Sequence, residues 1–485
     1  MSSSRIEKIA AHLAVNQTGA VAAASTNQAD APVSGAGSYN VPGAIDPPLV
    51  RDPEERMAKE PIKFLIEKGR ENPGCFMLER NPRNRFIVIS DVNMYEDVLT
   101  FDEDFGNPVT PNMSVNKNVF QIPVPQLEKY EQKGISGLRQ YILANNDLLA
   151  DDIAAIFIKR MEEALGESGV MDLRDFGTNI FWPMTEGLFG RGASKEEAPY
   201  LKQCFDDIDS NFGLALKGKV VDKVVTSVDK AYKTFAKMLD ESKKPGGCPV
   251  GKVPQLYDKV TEYSDPNLTA KLCTAAWWGG QGNTLPSTVW TFGMILADPR
   301  VKKLAYDEVD NGPFKTQPAK DGHFDYSTLP YLTAALKETL RMKTYSIAWR
   351  LVQRDCSLYS TATGKTYRFK KGDLIGLHFA MRHMDNQVHD NPNEFRPERF
   401  LGTGAGLSPT INGHQYAYAP FSAGRHKCAG YALAMLEIPV VAAIVFRHYD
   451  MELLDPLPGM NYKEAFGVVG PDEKPARVRY QRRRH

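Results

Sequence analysis

One stretch of the chain gathers residues that do little for a core and much for chemistry: Phe421-Ser-Ala-Gly424-Arg-His426-Lys-Cys428-Ala-Gly430. Cys428 stands just before an apolar segment that reads as a helix from Gly430 to Phe446. A thiol at a helix N-terminus lies in the positive field of the first-turn N–H groups, which favours the thiolate, the form that ligates metals. Gly424 and Gly430 allow a tight loop and the close approach of a flat ligand. The competing reading is a buried structural cysteine. That is how most of Cys75, Cys204, Cys248, Cys273 and Cys356 read, because the six cysteines form no C-x-x-C pair and no disulfide or zinc pattern. Such usage points to a reducing compartment.

Three further groupings lie upstream. Glu338-Thr-Leu-Arg341 places opposite charges one helical turn apart. Phe395-Arg-Pro-Glu-Arg399-Phe400 follows in a proline-rich segment. A long apolar helix expected over Asn267–Ala297 carries Gly279-Gly280-Gln281-Gly282-Asn283-Thr284 and then Pro286. Glycine costs ~1 kcal/mol and proline ~3 kcal/mol inside a helix, so a defect of this size implies a reason, such as a ligand lying against the backbone.

Taken together and in this order, the four groupings resemble the cytochrome P-450 superfamily: its haem-binding loop, its E-x-x-R helix, its P-E-R-F motif and the helix that crosses over the haem. The resemblance runs from about Pro48 to the C-terminus. It implies a mainly α fold with small β-sheets, a single large haem-binding domain, and haem b (iron protoporphyrin IX) as cofactor. By motif, Cys428 matches the axial thiolate and the metal ligand, with Phe421, Gly424 and Gly430 shaping its loop. Glu338, Arg341 and Arg399 match a structural salt-bridge triad. His426 matches a propionate contact. Arg350 lies where a second propionate arginine is often found, the alternative being an ordinary strand arginine. Arg139 is a further propionate candidate, or else an exposed helix arginine.

The oxygen-activation motif departs from the family pattern. Where an acid and a threonine are usual, this chain has Gly282 and Asn283, followed by Thr284. Asn283 and Thr284 are therefore the catalytic candidates. An amide orients a water or an oxygen ligand but does not titrate; the competing reading is a helix amide satisfied by its neighbours. The stretch Trp278–Trp290 and the tail Phe466-Gly-Val-Val-Gly-Pro471 resemble the branch containing bile-acid sterol hydroxylases and prostacyclin synthase. That branch includes both oxygenases and an isomerase and leaves the reaction type open; the leading expectation is a monooxygenase oxidising a hydrophobic small molecule with dioxygen and electrons from a ferredoxin or reductase. Its alternative is a peroxide-rearranging isomerase or dehydratase, and a third reading is a non-enzymatic haem sensor.

The elements that must position these residues are legible in outline. With 42% hydrophobic and 10% aromatic residues, the 485-residue chain can bury a large core, which excludes a wholly disordered or coiled-coil protein. Lys plus Arg and Asp plus Glu number 59 each, which argues against a protein built to coat nucleic acid. Residues 1–45 are rich in Ala, Ser, Gly and Asn and read as a flexible tail, leaving 46–485 as the haem-thiolate domain. Cys75–Leu78 and Arg85–Ile89 read as a strand pair, and 101–126, with four prolines, as a lid-like loop. The lysine-rich Lys217–Lys243 reads as a solvated helix face. No apolar run reaches the ~20 residues of a transmembrane helix, the best being Ile438–Phe446. The expectation is a soluble, cytoplasmic protein, with peripheral membrane or organellar attachment as the alternatives.

Overall fold

Helices built on apolar stripes make up most of the structure, and small sheets close one side of it. The computed structural model describes residues 37–485 apart from 39–40, 53–54, 80–84, 101–103, 107–118, 123–135, 213, 215–220, 261–265, 315–323, 346, 404–409, 412, 463–466 and 485. The described residues belong to one compact unit, Ala36–His485. Most of the tail expected over 1–45 and most of the expected lid over 101–126 lie outside the described residues. Within the tail, Gly37–Ser38 pairs with Cys356–Ser360 and Ile45 bridges to Tyr367, so paired backbone begins before residue 45.

Five helices position the candidate site: α1 Ser136–Ala144, α2 Pro266–Gly282, α3 Thr284–Ala297, α4 Pro330–Lys343 and α5 Tyr431–His448. The single helix expected over Asn267–Ala297 is two. It stops at Gly282 and restarts at Thr284, with Asn283 between them. The restart places Pro286 in the first turn of α3, where a missing N–H breaks no helical hydrogen bond. Helix α4 has Pro330 in its first turn, and Glu308 accepts the N–H groups of Tyr331 (2.5 Å) and Leu332 (2.9 Å), satisfying orphan donors.

The main sheet orders its strands Leu49–Val50, Cys75–Leu78, Phe86–Ile89, Leu374–His378, Ile347–Val352 and Phe105–Gly106. The expected pair Cys75–Leu78 and Phe86–Ile89 is present and antiparallel. In Ile347–Val352, Ala348, Arg350 and Val352 alternate inward and are buried, so Arg350 faces the same side as its two apolar neighbours. The helix Asp222–Ser242 buries Val224, Val228, Ala231, Phe235, Met238 and Leu239, while Lys233 and Lys237 remain largely exposed on its other side.

Helix α5 is, among the described residues, the one long and apolar enough to cross a membrane, and 67% of it is buried inside the protein. The apolar run Ile438–Phe446 is its inner half, packed in the core with Phe292 and Tyr306 around Phe446. One carboxyl interrupts it. Glu437 is 2% exposed, and its Oε2 finds no hydrogen-bond partner. Burial alone pushes its pKa up to about 8. Its folded form therefore holds a proton that the unfolded chain releases near ~4.3. Stability from this group is complete below that value and is lost as pH rises through about 8, at roughly 1.4 kcal/mol per pH unit. Melting curves between pH 5 and pH 8 should show wild type losing stability relative to Glu437→Gln. A constant difference across that range would mean that Glu437 is not protonated in the fold.

Candidate functional site

The expected triad assembles in the interior. Glu338 and Arg341 on α4 are fully buried, and they meet through two parallel bonds, Arg341 Nε to Oε2 at 2.7 Å and Nη2 to Oε1 at 2.8 Å. Arg399, on the single 3₁₀ turn Pro397–Phe400, donates from Nε to Glu338 Oε1 at 3.1 Å. The backbone N–H of Arg396 joins the same oxygen at 3.1 Å. Arg341 also reaches the carbonyls of His383 (2.7 Å) and Pro392 (2.8 Å), and Arg399 that of Asn391 (2.9 Å). One carboxylate thus collects four donors, which is what makes a buried charge tolerable.

The loop before α5 bends where the sequence allows it. Gly424 has φ +70, and a Cβ there would press on Leu99 at 3.1 Å, so both conformation and space favour glycine. Cys428 donates its N–H to Phe421 O at 2.9 Å, which closes the loop. His426 lies partly buried on the turn Gly424–His426. Arg139 on α1 reaches the loop itself and donates from Nη2 to the carbonyl of Lys427. Arg350 is 1% exposed and faces the sheet side where Ala348 and Val352 share a core cluster with Ala423 of the loop. Of the three propionate candidates, His426 is on the loop, Arg139 bonds to it, and Arg350 lies buried in the neighbouring strand.

The electrostatics around Cys428 pull in two directions. Desolvation raises its thiol above the usual value. The backbone N–H of Gly430, the charges of Arg139 and Lys427, and the N–H of Tyr431 act in the opposite sense, favouring the thiolate. Lys427 is itself pushed down by burial, with its Nζ 3.8 Å from the centre of the Tyr431 ring. Cys428 keeps an exposed surface next to Gly430, where a Cβ would meet only open space, while the protein around it desolvates its thiol.

That space suits a flat, anionic, metal-bearing group. Cβ atoms built on Gly279, Gly280 and Gly430 would meet nothing within 4 Å, so the α2 glycines and the start of α5 both face open volume. Among the described residues no group of three His, Cys, Asp or Glu gathers, so Cys428 is not one corner of a multi-residue metal cage. A lone thiolate suits a metal already held by a macrocycle, and cations at the rim suit that macrocycle's carboxylates. Cys428 could hold such a metal, and Arg139, Arg350 and His426 are the candidates to meet the macrocycle's carboxylates.

The distal candidates are placed differently from each other. Asn283 sits in the break between α2 and α3, and its Oδ1 accepts the N–H of Val468 at 2.9 Å. Thr284 is buried at the start of α3. Gln281 turns away and donates to Phe181 O (3.1 Å) and Thr185 Oγ1 (3.0 Å), which anchors the end of α2. Lys427 and the pair Gly467–Val468 are the participants that reading the sequence missed. The glycine before Val468 was the available signal, because nothing in a short strand otherwise calls for one.

Removing one partner from the buried triad strands the others, at about 3–5 kcal/mol. Glu338→Ala and Arg341→Ala should therefore give protein that is insoluble or fails to retain haem, as read by the ratio of haem to protein absorbance. Haem-loaded variants with an unchanged melting point would show that the fold does not need the cluster.

The comparisons with known proteins point the same way. The family model described as Cytochrome P450 matches residues 55–475. The 25-hydroxycholesterol 7-alpha-hydroxylase of Rattus norvegicus is 30% identical over 207 residues, covering 40% of this chain and 50% of that protein. The chain thus spans about half the length of that relative. The 24-hydroxycholesterol 7-alpha-hydroxylase of Mus musculus is 23% identical over 88% of this chain and 89% of its own length. The 5-beta-cholestane-3-alpha,7-alpha-diol 12-alpha-hydroxylase of Sus scrofa is 29% identical over 42% of this chain and 44% of its own. Since the family match takes in the broken helix, the buried triad and the cysteine loop in one continuous span, the chain belongs to the cytochrome P450 family of oxidoreductases.

Proposed function

We propose that the protein is a haem-thiolate monooxygenase that hydroxylates a hydrophobic substrate of the sterol class, using dioxygen and electrons delivered by a ferredoxin or reductase. The observation that carries this reading is Cys428: exposed at the start of α5, with the N–H groups of Gly430 and Tyr431 and the charges of Arg139 and Lys427 opposing the desolvation that raises its thiol. The similarity to hydroxylases of cholesterol derivatives supports the substrate class. Haem held by a thiolate supplies the activation of dioxygen.

The chain's own residues would do the rest. Cys428, with the donors around it, holds the cofactor and sets how strongly the sulfur donates. Arg139, Arg350 and His426 balance its carboxylates. Gly279 and Gly280 leave room against α2 for a bulky apolar ligand. Asn283 offers an amide beside that room. With Gly282 carrying no acid, proton delivery would pass through water held at Asn283, with the Thr284 hydroxyl in support. The combination of Gly282 and Asn283 also favours a second reading, the rearrangement of a peroxide, in which Asn283 orients the substrate and no reductant is used.

The carbon-monoxide spectrum of the reduced protein should show the red-shifted thiolate band, and Cys428→Ser should lose it. A well-folded, haem-loaded wild type without that band would refute the ligand assignment. Asn283→Ala should consume NAD(P)H and dioxygen through a surrogate reductase while releasing peroxide, with product formation down by ~10²–10⁴-fold. Turnover that needs no reductant would establish the peroxide reading instead. Unchanged coupling would remove Asn283 from either chemistry.

A further inference from the structure

Asn283 is gripped by a strand remote from it in sequence. Its Oδ1 takes the Val468 N–H at 2.9 Å. The preceding residue, Gly467, has φ +74, and a Cβ there would collide with that same Oδ1, with Cγ at 3.0 Å and Nδ2 at 3.2 Å. Glycine is thus required twice over, by the backbone conformation and by the amide pressed against it.

The strand is fixed from three other directions. Gly467–Val468 pairs antiparallel with Thr344–Tyr345, at the end of α4. The next residue, Val469, donates its N–H to Lys343 O at 2.9 Å. Its carbonyl accepts from Trp290 Nε1 at 2.6 Å, on α3. Lys343 Nζ in turn lies 3.8 Å from the centre of the Trp290 ring. The N–H that meets Asn283 therefore has little freedom to move.

An amide side chain accepts at one end and donates at the other. A main-chain N–H is only a donor, so the atom facing Val468 must be the oxygen. What remains to be offered is Nδ2. Gly279 and Gly280 lie in the last turn of α2, which ends just before Asn283, and both meet open space. Asn283 is itself exposed.

We propose that Gly467 and the Val468 N–H act as a positioning clamp that fixes the polarity of the Asn283 amide. The clamp makes Asn283 an obligatory hydrogen-bond donor at the end of α2, whose last turn carries Gly279 and Gly280. The identity of the group that receives this bond rests on the monooxygenase reading; the clamp does not. Gly467 touches no substrate and acts through Asn283.

A double-mutant cycle separates this role from a simple need for glycine in a turn. The readouts are the melting point and the C–O stretching band of the reduced, carbon-monoxide-bound protein, which responds to nearby donors. Gly467→Ala should lower the melting point and shift the band in the same direction as Asn283→Ala. In the Asn283→Ala background, where the colliding amide is gone, Gly467→Ala should leave the band unmoved and cost less stability than it does alone. Equal costs in both backgrounds, or an unmoved band in Gly467→Ala, would overturn the clamp. Asn283→Asp guards against a Gly467 variant that does not fold. At pH 8 it keeps the acceptor for Val468 and loses the donor, so the melting point should hold while the band shifts; an unshifted band would overturn the donor assignment. Protein that meets these expectations but consumes no reductant would overturn the monooxygenase reading and leave the clamp standing.

Discussion

The carboxylate of Glu338 is the point on which the cysteine side of the molecule is hung. It is buried, and it is shared among Arg341, Arg399 and the backbone of Arg396, so α4 and the segment 396–399 are referred to one charge. The reference is carried onward. Arg341 holds the carbonyl of His383, and the His383 ring accepts the N–H of Ala419 at 2.9 Å through Nε2. That bond requires a neutral imidazole. Burial first, and then the charges of His389, Arg341 and Arg382, drive the His383 pKa well below its usual value. Tyr418, beside Ala419, packs on Phe400 of the Arg399 turn with ring centres 4.7 Å apart. The chain therefore enters the Cys428 loop already fixed in place. A cluster that touches no ligand thereby decides where the thiol stands, which makes it a folding device with a functional consequence.

The distal side is built on a different constraint, a helix that is not allowed to continue. Two glycines thin its wall, and Gly282 and Asn283 end it. Gln281 ties the end of α2 to Phe181 and Thr185 on one side, and Val468 ties Asn283 on the other. A break in a buried helix leaves polar backbone to be satisfied, and here the side chains flanking it are recruited to hold neighbouring elements. The defect is rigid because both of its flanks are tethered.

What was legible in the sequence was what side chains encode over short spans. Glu338 and Arg341 lie one turn apart on a helix, and Cys428 stands between glycines before an apolar run. Such patterns survive without knowledge of the fold, and it was their resemblance to a family, taken in order, that implied the mainly α architecture, the triad with the distant Arg399, and the thiol loop. The strand pair around residues 75–89 was legible for the same reason, since period and turn residues are local. The bond from Val468 to Asn283 spans 185 residues, and Arg139 meets Lys427 across 288, so no local pattern announces either. The helix break was half legible. Pro286 and the glycines marked a fault, but only packing selects Asn283 as the residue at which α2 ends and α3 begins.

The cysteine pocket shows why a loop rather than a helix interior carries the ligand. Desolvation by the surrounding protein is the largest influence on the thiol and disfavours its charged form. The opposing influences are fixed dipoles and cations supplied by three elements: the N–H groups that begin α5, Lys427 in the loop, and Arg139 on α1. None of these sits opposite the sulfur as a direct ion-pair partner. The arrangement lowers the cost of a thiolate without neutralising it, and so leaves the remaining stabilisation to a cation bound from the open side. Metal binding and deprotonation are then one event. The N–H groups that remain on the sulfur would limit how much electron density it gives to a bound metal.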